Sequence, residues 1–201
     1  MNDGALIKQF CEQGQVNAFN TLVWRWQKPI YNFVLRYLGD PEDAREITQQ
    51  TFIKAHRNLP HLKDHSRFST WLYQIAVNLC RDEIKKRRRR KTYSLESMQE
   101  NSDQSNARDL LPVADESASP DNIVSRKELR DILARALQQI PEEQREVVIM
   151  KEYQGLKFTE IAETLGIPLN TAKSRMYYGL TALRKILTQW QFDQESFQYE
   201  M

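Results

Sequence analysis

The sequence predicts an all-α chain of two small helical domains joined by a flexible acidic linker, and three observations carry that prediction. Apolar residues recur every three or four positions through residues 1–91 and 126–188, the period of helices that bury one face. Between them, from Thr92 to Ser125, the composition turns to Ser, Asn, Gln, Asp and Pro, with too little apolar surface to offset the entropy of ordering. Residues 157–187 then pair a short amphipathic helix with a longer one across a glycine turn.

At 201 residues the chain is long enough for two small domains with cores of their own. Its formal charge of +2 hides a segregation of sign. The linker, residues 92–125, carries Glu96, Glu100, Asp103, Asp109, Asp115, Glu116 and Asp121 against Arg108, whereas cations gather on either side of it. Cys11 and Cys80 lack the spacing of a disulfide framework or a zinc site, so reduced thiols in the cytoplasm are expected. No apolar run approaches a membrane span, and the N-terminus lacks a signal-peptide pattern.

In chain order, Leu6, Ile7 and Phe10 mark a first helix, with Asp3 as its expected N-cap and Gly14 near its end. A longer aromatic pattern follows through Phe19, Leu22, Trp26, Ile30, Phe33 and Tyr37, and Pro29 predicts a kink or break within it. Asp40, Pro41, Glu42 and Asp43 form a strong helix start. That helix buries Ala44, Ile47, Thr51 and Ala55, and its outer face of Glu46, Gln49, Gln50, Lys54 and Arg57 reads either as solvation or as a partner surface. His61 and His65 lie in a loop that does not hold metal-ligand spacing on one face, so no metal is expected.

The next helix, capped by Ser66 or Ser69, buries Leu72, Ile75, Ala76 and Leu79 and closes on an unbroken basic run from Lys85 to Lys91. Phe68, Trp71 and Tyr73 cluster at its start. Aromatic side chains near cations suit single-stranded nucleic acid, since unstacked bases need flat platforms and phosphates need positive charge. Trp71 is equally readable as a core residue.

Beyond the linker, Leu129, Ile132, Leu133, Ala136 and Leu137 mark one helix and Val147, Val148 and Met150 another. In the helix-turn-helix, Phe158, Ile161 and Leu165 precede Gly166, and the second helix buries Ala172, Met176, Leu180, Leu183 and Leu187. Its other face holds Asn170, Lys173, Ser174, Tyr177 and Tyr178, with Arg175 at the border, and no acid occurs between Glu163 and Asp193. Ala162 is the small residue expected at the helix crossing. Such an acid-free helix suits the major groove of duplex DNA. The last residues, 189–201, interleave Trp190, Phe192, Phe197 and Tyr199 with Asp193, Glu195 and Glu200, which reads as a frayed terminus or as a segment that docks.

Taken in order, the segments GDPEDAREITQQTF, FSTWLYQIAVNLCRDEIKKRRRR and IPEEQREVVIMKEYQGLKFTEIAETLGIPLNTAKSRMYYGLTALRKIL resemble bacterial RNA polymerase sigma factors of the extracytoplasmic-function (ECF) type, in the sigma-70 family. The resemblance extends to about Leu187 and assigns residues 1–91 to region two and 126–188 to region four. It implies docking on the clamp helices of the largest polymerase subunit through Glu46, Gln49 and Gln50, where the family commonly has a carboxylate in place of Gln50. It implies contact with the melted minus-ten strand through Phe68, Trp71, Tyr73, Asn78, Arg81 and Lys85. It implies reading of the duplex minus-thirty-five element through Pro168, Asn170, Thr171, Lys173, Ser174, Arg175 and Tyr178, the last commonly Arg in the family.

The implied partners are core RNA polymerase, through its clamp helices and flap, promoter DNA, and an anti-sigma protein. No cofactor and no membrane insertion are implied. The alternative is a DNA-binding regulator that uses the same helix-turn-helix without sigma activity. No Gly-rich phosphate loop, nucleophile motif or carboxylate-metal cluster points to an enzyme.

Overall fold

The computed structural model describes residues 2–97 and 120–190, with side chains over 2–90 and 128–190, and shows eight α-helices there. The chain divides into two compact units, Met1–Leu111 and Pro112–Met201. Both ends of the expected linker are helical: α4 runs to Ser97 and α5 begins at Pro120. Nothing in the sequence just after Lys91 breaks a helix, and Pro120 has the fixed φ and missing N–H that suit a first helical position. The remaining linker expectation, 98–119, lies outside the described residues, as does the tail beyond Trp190.

In the first unit, α1 (Asp3–Gln13), α2 (Val16–Leu38), α3 (Pro41–Asn58) and α4 (Phe68–Ser97) pack around one core. Asn2, not Asp3, caps α1, accepting the Ala5 N–H at 2.9 Å, which leaves the Asp3 carboxylate available elsewhere. Helix α2 runs unbroken through Pro29. A proline inside a helix costs about 3 kcal/mol. Leu22 on one side of Pro29 and Ile30, Phe33, Val34 and Tyr37 on the other are all buried, each stabilising by about 1.5 to 3 kcal/mol. Burial of one continuous face therefore outweighs the missing hydrogen bond.

Asp40 caps α3 as expected, accepting from the amides of Glu42 at 2.9 Å and Asp43 at 3.0 Å. The entry to α4 is a 3-10 turn, His65–Arg67, capped by Asp64 and not by either serine. The Ser66 amide (3.0 Å) and hydroxyl (2.6 Å) both donate to Asp64, and these bonds hold its carboxyl below the ordinary range. His56 packs edge-on against Phe10 and Phe19, with ring centroids 5.1 and 4.9 Å away. Among the described residues no three His, Cys, Asp or Glu side chains gather as metal ligands, and no helix is long and apolar enough to cross a membrane.

The second unit holds α5 (Pro120–Gln139), α6 (Glu142–Val148) continued by a π-helical turn (Ile149–Tyr153), α7 (Phe158–Leu165) and α8 (Leu169–Gln189). Buried Arg145 closes the end of α5, donating to the carbonyls of Gln138 and Ile140, each at 3.2 Å, and to Gln138 Oε1 at 2.7 Å. These are the carbonyls a helix end leaves without partners. The Lys157 amide donates to the Glu160 carboxylate at 2.6 Å and so fixes the start of α7. Gly166, at φ 65°, ends α7 in the left-handed region, and the Ile167 amide reaches back to the Ala162 carbonyl at 2.9 Å.

Ala162 is buried in α7, and a second small residue, Gly179, marks a close approach of α8 to α6. A β-carbon there would lie 2.8 Å from Val148 Cγ2 and 3.3 Å from Gln144 Cβ. Leu180, placed by its spacing on the buried face, is exposed instead, because Gly179 occupies the contact with α6. Gly179→Ala should gain about 1 kcal/mol of helix propensity but lose about 1 to 3 kcal/mol to overpacking, a net destabilisation in urea titration. Combining it with Val148→Ala should recover part of the overpacking loss. A Gly179→Ala variant as stable as the parent would show that α6 and α8 can yield at this point.

Candidate nucleic-acid and polymerase interfaces

Helix α4 has two opposed faces, and its expected contact residues fall on both. At about 100° per residue, Leu72, Ala76, Leu79 and Cys80 point into the core. Trp71, Gln74, Asn78, Arg81 and Lys85 form a stripe on the other side, with Gln74, Asn78 and Lys85 exposed and Trp71 and Arg81 half-buried. Phe68 and Tyr73, expected to touch the melted strand, are only 1% and 3% exposed. Tyr73 packs edge-on against Phe33 (5.5 Å) and Trp26 (6.1 Å), and burial raises its hydroxyl well above the ordinary tyrosine range. A base cannot stack on either ring without opening the core. Their service is to hold the start of α4, with Phe68 touching Trp71 at 6.0 Å between ring centroids.

The basic run is also divided in its duties. Arg87 turns back onto α3, paired with Asp43 and within 3.8 Å of Glu83, so it joins the two helices. Burial draws its guanidinium below the ordinary arginine range, against the opposing pull of Asp40. Lys86 bonds Glu83 at 3.2 Å. Lys85, Arg88, Arg89 and Arg90 are exposed along the same helix.

On α3, Glu46 and Gln49 are exposed and Gln50 half-buried, in line with the exposed Ile53. Gln50 donates to Glu46 at 2.9 Å. A second carboxylate at position 50 would repel Glu46 one turn away, whereas the amide orders it.

On α8 the exposed face is centred on Tyr177, 68% exposed, with Asn170, Lys173, Ser174, Thr181 and Arg184 around it. Pro168 caps the helix and is exposed, and Thr171 is half-buried with its carbonyl accepting from Ser174 Oγ at 3.0 Å. Tyr178 is 59% exposed and stands edge-on to Tyr177 at 5.6 Å. Arg175 differs from the other expected duplex contacts. Its guanidinium bonds Glu143 at 2.6 Å and approaches Glu146 at 3.5 Å, with its side chain only 20% exposed and Glu146 1%. It anchors α8 to α6. The helical wheel places Arg175 at the border of the two faces, and only the carboxylates of α6 decide which way it turns. Tyr177, which the sequence pattern places on the outward face without naming it as a duplex contact, stands at the centre of that face.

The two units match, in order, the Sigma-70 region 2 family over residues 22–90 and the Sigma-70 region 4 family over residues 130–183. The ECF RNA polymerase sigma-E factor of Escherichia coli K12 is 31% identical over 184 residues, 91% of this chain and 93% of that protein. The chain is an ECF-type sigma factor of the sigma-70 family. The RNA polymerase sigma-H factor of Pseudomonas aeruginosa is 30% identical over 176 residues, 88% of this sigma factor and 89% of the relative. The fold is shared with CnrH, solved in complex with the cytosolic domain of CnrY (TM-score 0.65, 22% identity, 93% of this chain and 97% of that one). It is also shared with RpoE from Bartonella quintana, solved with the anti-sigma factor NepR (TM-score 0.63, 20% identity, 86% and 98%). As a sigma factor the protein works with core RNA polymerase and promoter DNA to start transcription.

Removing the Arg175 guanidinium strips a partner from a buried carboxylate, which typically costs about 1.5 to 3 kcal/mol. Arg175→Ala should therefore lower the thermal midpoint of the C-terminal unit while leaving the preferred promoter sequence unchanged. A variant of normal stability with altered base preference in a promoter-library selection would return Arg175 to the reading face.

Proposed function

We propose that this sigma factor divides promoter opening among three surfaces. The α3 face of Glu46, Gln49, Gln50 and Ile53 docks on the clamp helices of the largest polymerase subunit. The outward stripe of α4 holds the melted minus-ten strand, with Trp71 as stacking platform, Asn78 reading a base edge, and Arg81 and Lys85 meeting phosphates. A flipped base costs a few kcal/mol, which stacking of about 1 to 3 kcal/mol per base and an amide contact can offset. The outward face of α8 reads the minus-thirty-five duplex through Asn170, Lys173, Ser174, Tyr177 and Tyr178. The observation that carries this reading is the opposition of faces on α4, where an aromatic, an amide and two cations line the side turned away from the core.

The chain has no catalytic residues of its own in this reading and acts only with core polymerase, in the cytoplasm where that enzyme works. Region four also meets the polymerase flap. The kinship with sigma-E factors supports a regulon of envelope or stress genes, and the NepR-bound relative supports control by an anti-sigma protein. Run-off transcription with purified core polymerase on a promoter library tests the whole reading. Sequence-selective transcripts are expected, and duplex binding with no transcript from any promoter would leave a DNA-binding regulator.

Two variants separate the surfaces. Asn78→Ala should leave core binding intact and reduce permanganate reactivity in the minus-ten region, and unchanged footprints would remove Asn78 from base capture. Lys173→Ala should weaken duplex binding alike on all sequences and lower the salt slope by about 1. An unchanged slope would place Lys173 off the phosphates.

A further inference from the structure

Helix α1 carries none of the three surfaces, yet its first turn lies against the entry to α4. Asp3 has no capping duty, and its carboxylate faces α2. Oδ2 accepts the Trp26 indole N–H at 3.0 Å, and Oδ1 accepts from the Arg25 guanidinium. The Trp26 ring in turn stands edge-on to Phe68 and Tyr73, both at 6.1 Å and at 77° and 84°. Phe68 touches Trp71. One residue along from Asp3, Gly4 approaches the turn before α4, where its β-carbon would sit 3.7 Å from His65 Cβ.

We infer that Asp3 is a positioning residue for promoter melting, a latch that fixes the Trp26 indole and through it the first turn of α4 and Trp71. An indole has one N–H donor, so a single acceptor sets its rotation about the ring plane. Edge-on aromatic contacts depend on that angle, and they pass it to Phe68. The Asp3 carboxylate is partly exposed, its side chain retaining 22% of its surface, so the latch sits at the rim of the core and not within it. The inference rests on the role proposed above for Trp71.

The test uses the full chain with core polymerase. Asp3→Ala should slow open-complex formation about fivefold to tenfold, the equivalent of one lost hydrogen bond, with core affinity unchanged and faster hydrogen exchange over residues 64–70. Asp3→Asn, which keeps an oxygen for the indole, should restore most of the lost rate. Trp26→Phe keeps a ring in the core without the donor and should reproduce the defect, and the double variant should be no worse than either single one. The latch is overturned if Asp3→Ala melts promoters at the parental rate, if the two defects simply add, or if the loss is matched by an equal loss of core affinity. Trp71→Ala, run in parallel, separates the two ideas. A melting defect there without one in Asp3→Ala removes the latch alone. Parental melting in Trp71→Ala removes the Trp71 role, and the coupling between Asp3 and Trp26 then still decides whether the entry of α4 is latched.

Discussion

One helix cannot offer the same side chain to a core and to a nucleic acid, and this constraint shapes both units. Helix α4 resolves it by opposing its faces, with Leu72, Tyr73, Ala76 and Cys80 inward and Gln74, Asn78 and Lys85 outward. Helix α8 resolves it in the same way, with Ala172, Met176, Gly179 and Leu183 inward and Lys173 and Tyr177 outward. The inward faces set the angle at which the outward ones are held. On α8 that angle depends on the contact of Gly179 with Val148 and on the ion pairs of Arg175 with α6.

Charge on these surfaces is more committed than composition implies. Arg87 and Arg175 sit in stretches where cations point naturally to nucleic acid, yet both, like Arg145 on the acidic helix α6, are held by carboxylates or carbonyls of their own unit. Partly buried guanidinium groups need several acceptors, and a folded helix end or a neighbouring carboxylate supplies them. The cations with exposed stems are Lys85, Arg89 and Arg90 on α4 and Lys173 and Arg184 on α8, among others.

Much of this was legible in the residues. The helical period, the Asp40–Pro41 start and the Gly166 turn are local signals, and each appears where the pattern placed it. The exceptions are decided by partners distant in sequence. Pro29 lies in a helix whose flanking apolar residues are buried together, so a local breaker is overruled. Phe68 and Tyr73 are aromatic and near cations, as a strand-binding platform requires, but the rings of Trp26 and Phe33 enclose them. Arg175 lies on the border between faces, where sequence spacing is silent. Glu143 and Glu146, some thirty positions away, settle its direction.

The inward turn of Arg175 has a consequence for how such a chain diversifies. With the anchor of α8 assigned to one residue that faces α6, the outward positions 170, 173, 174 and 177 carry little of the unit's stability. Substitutions there are surface changes, which usually shift stability by less than about 0.5 kcal/mol. Under the proposed reading of α8, descendants of this protein can therefore acquire a new promoter vocabulary one letter at a time, each intermediate still folded, while the grammar of the helix-turn-helix stays fixed by residues that face its own core.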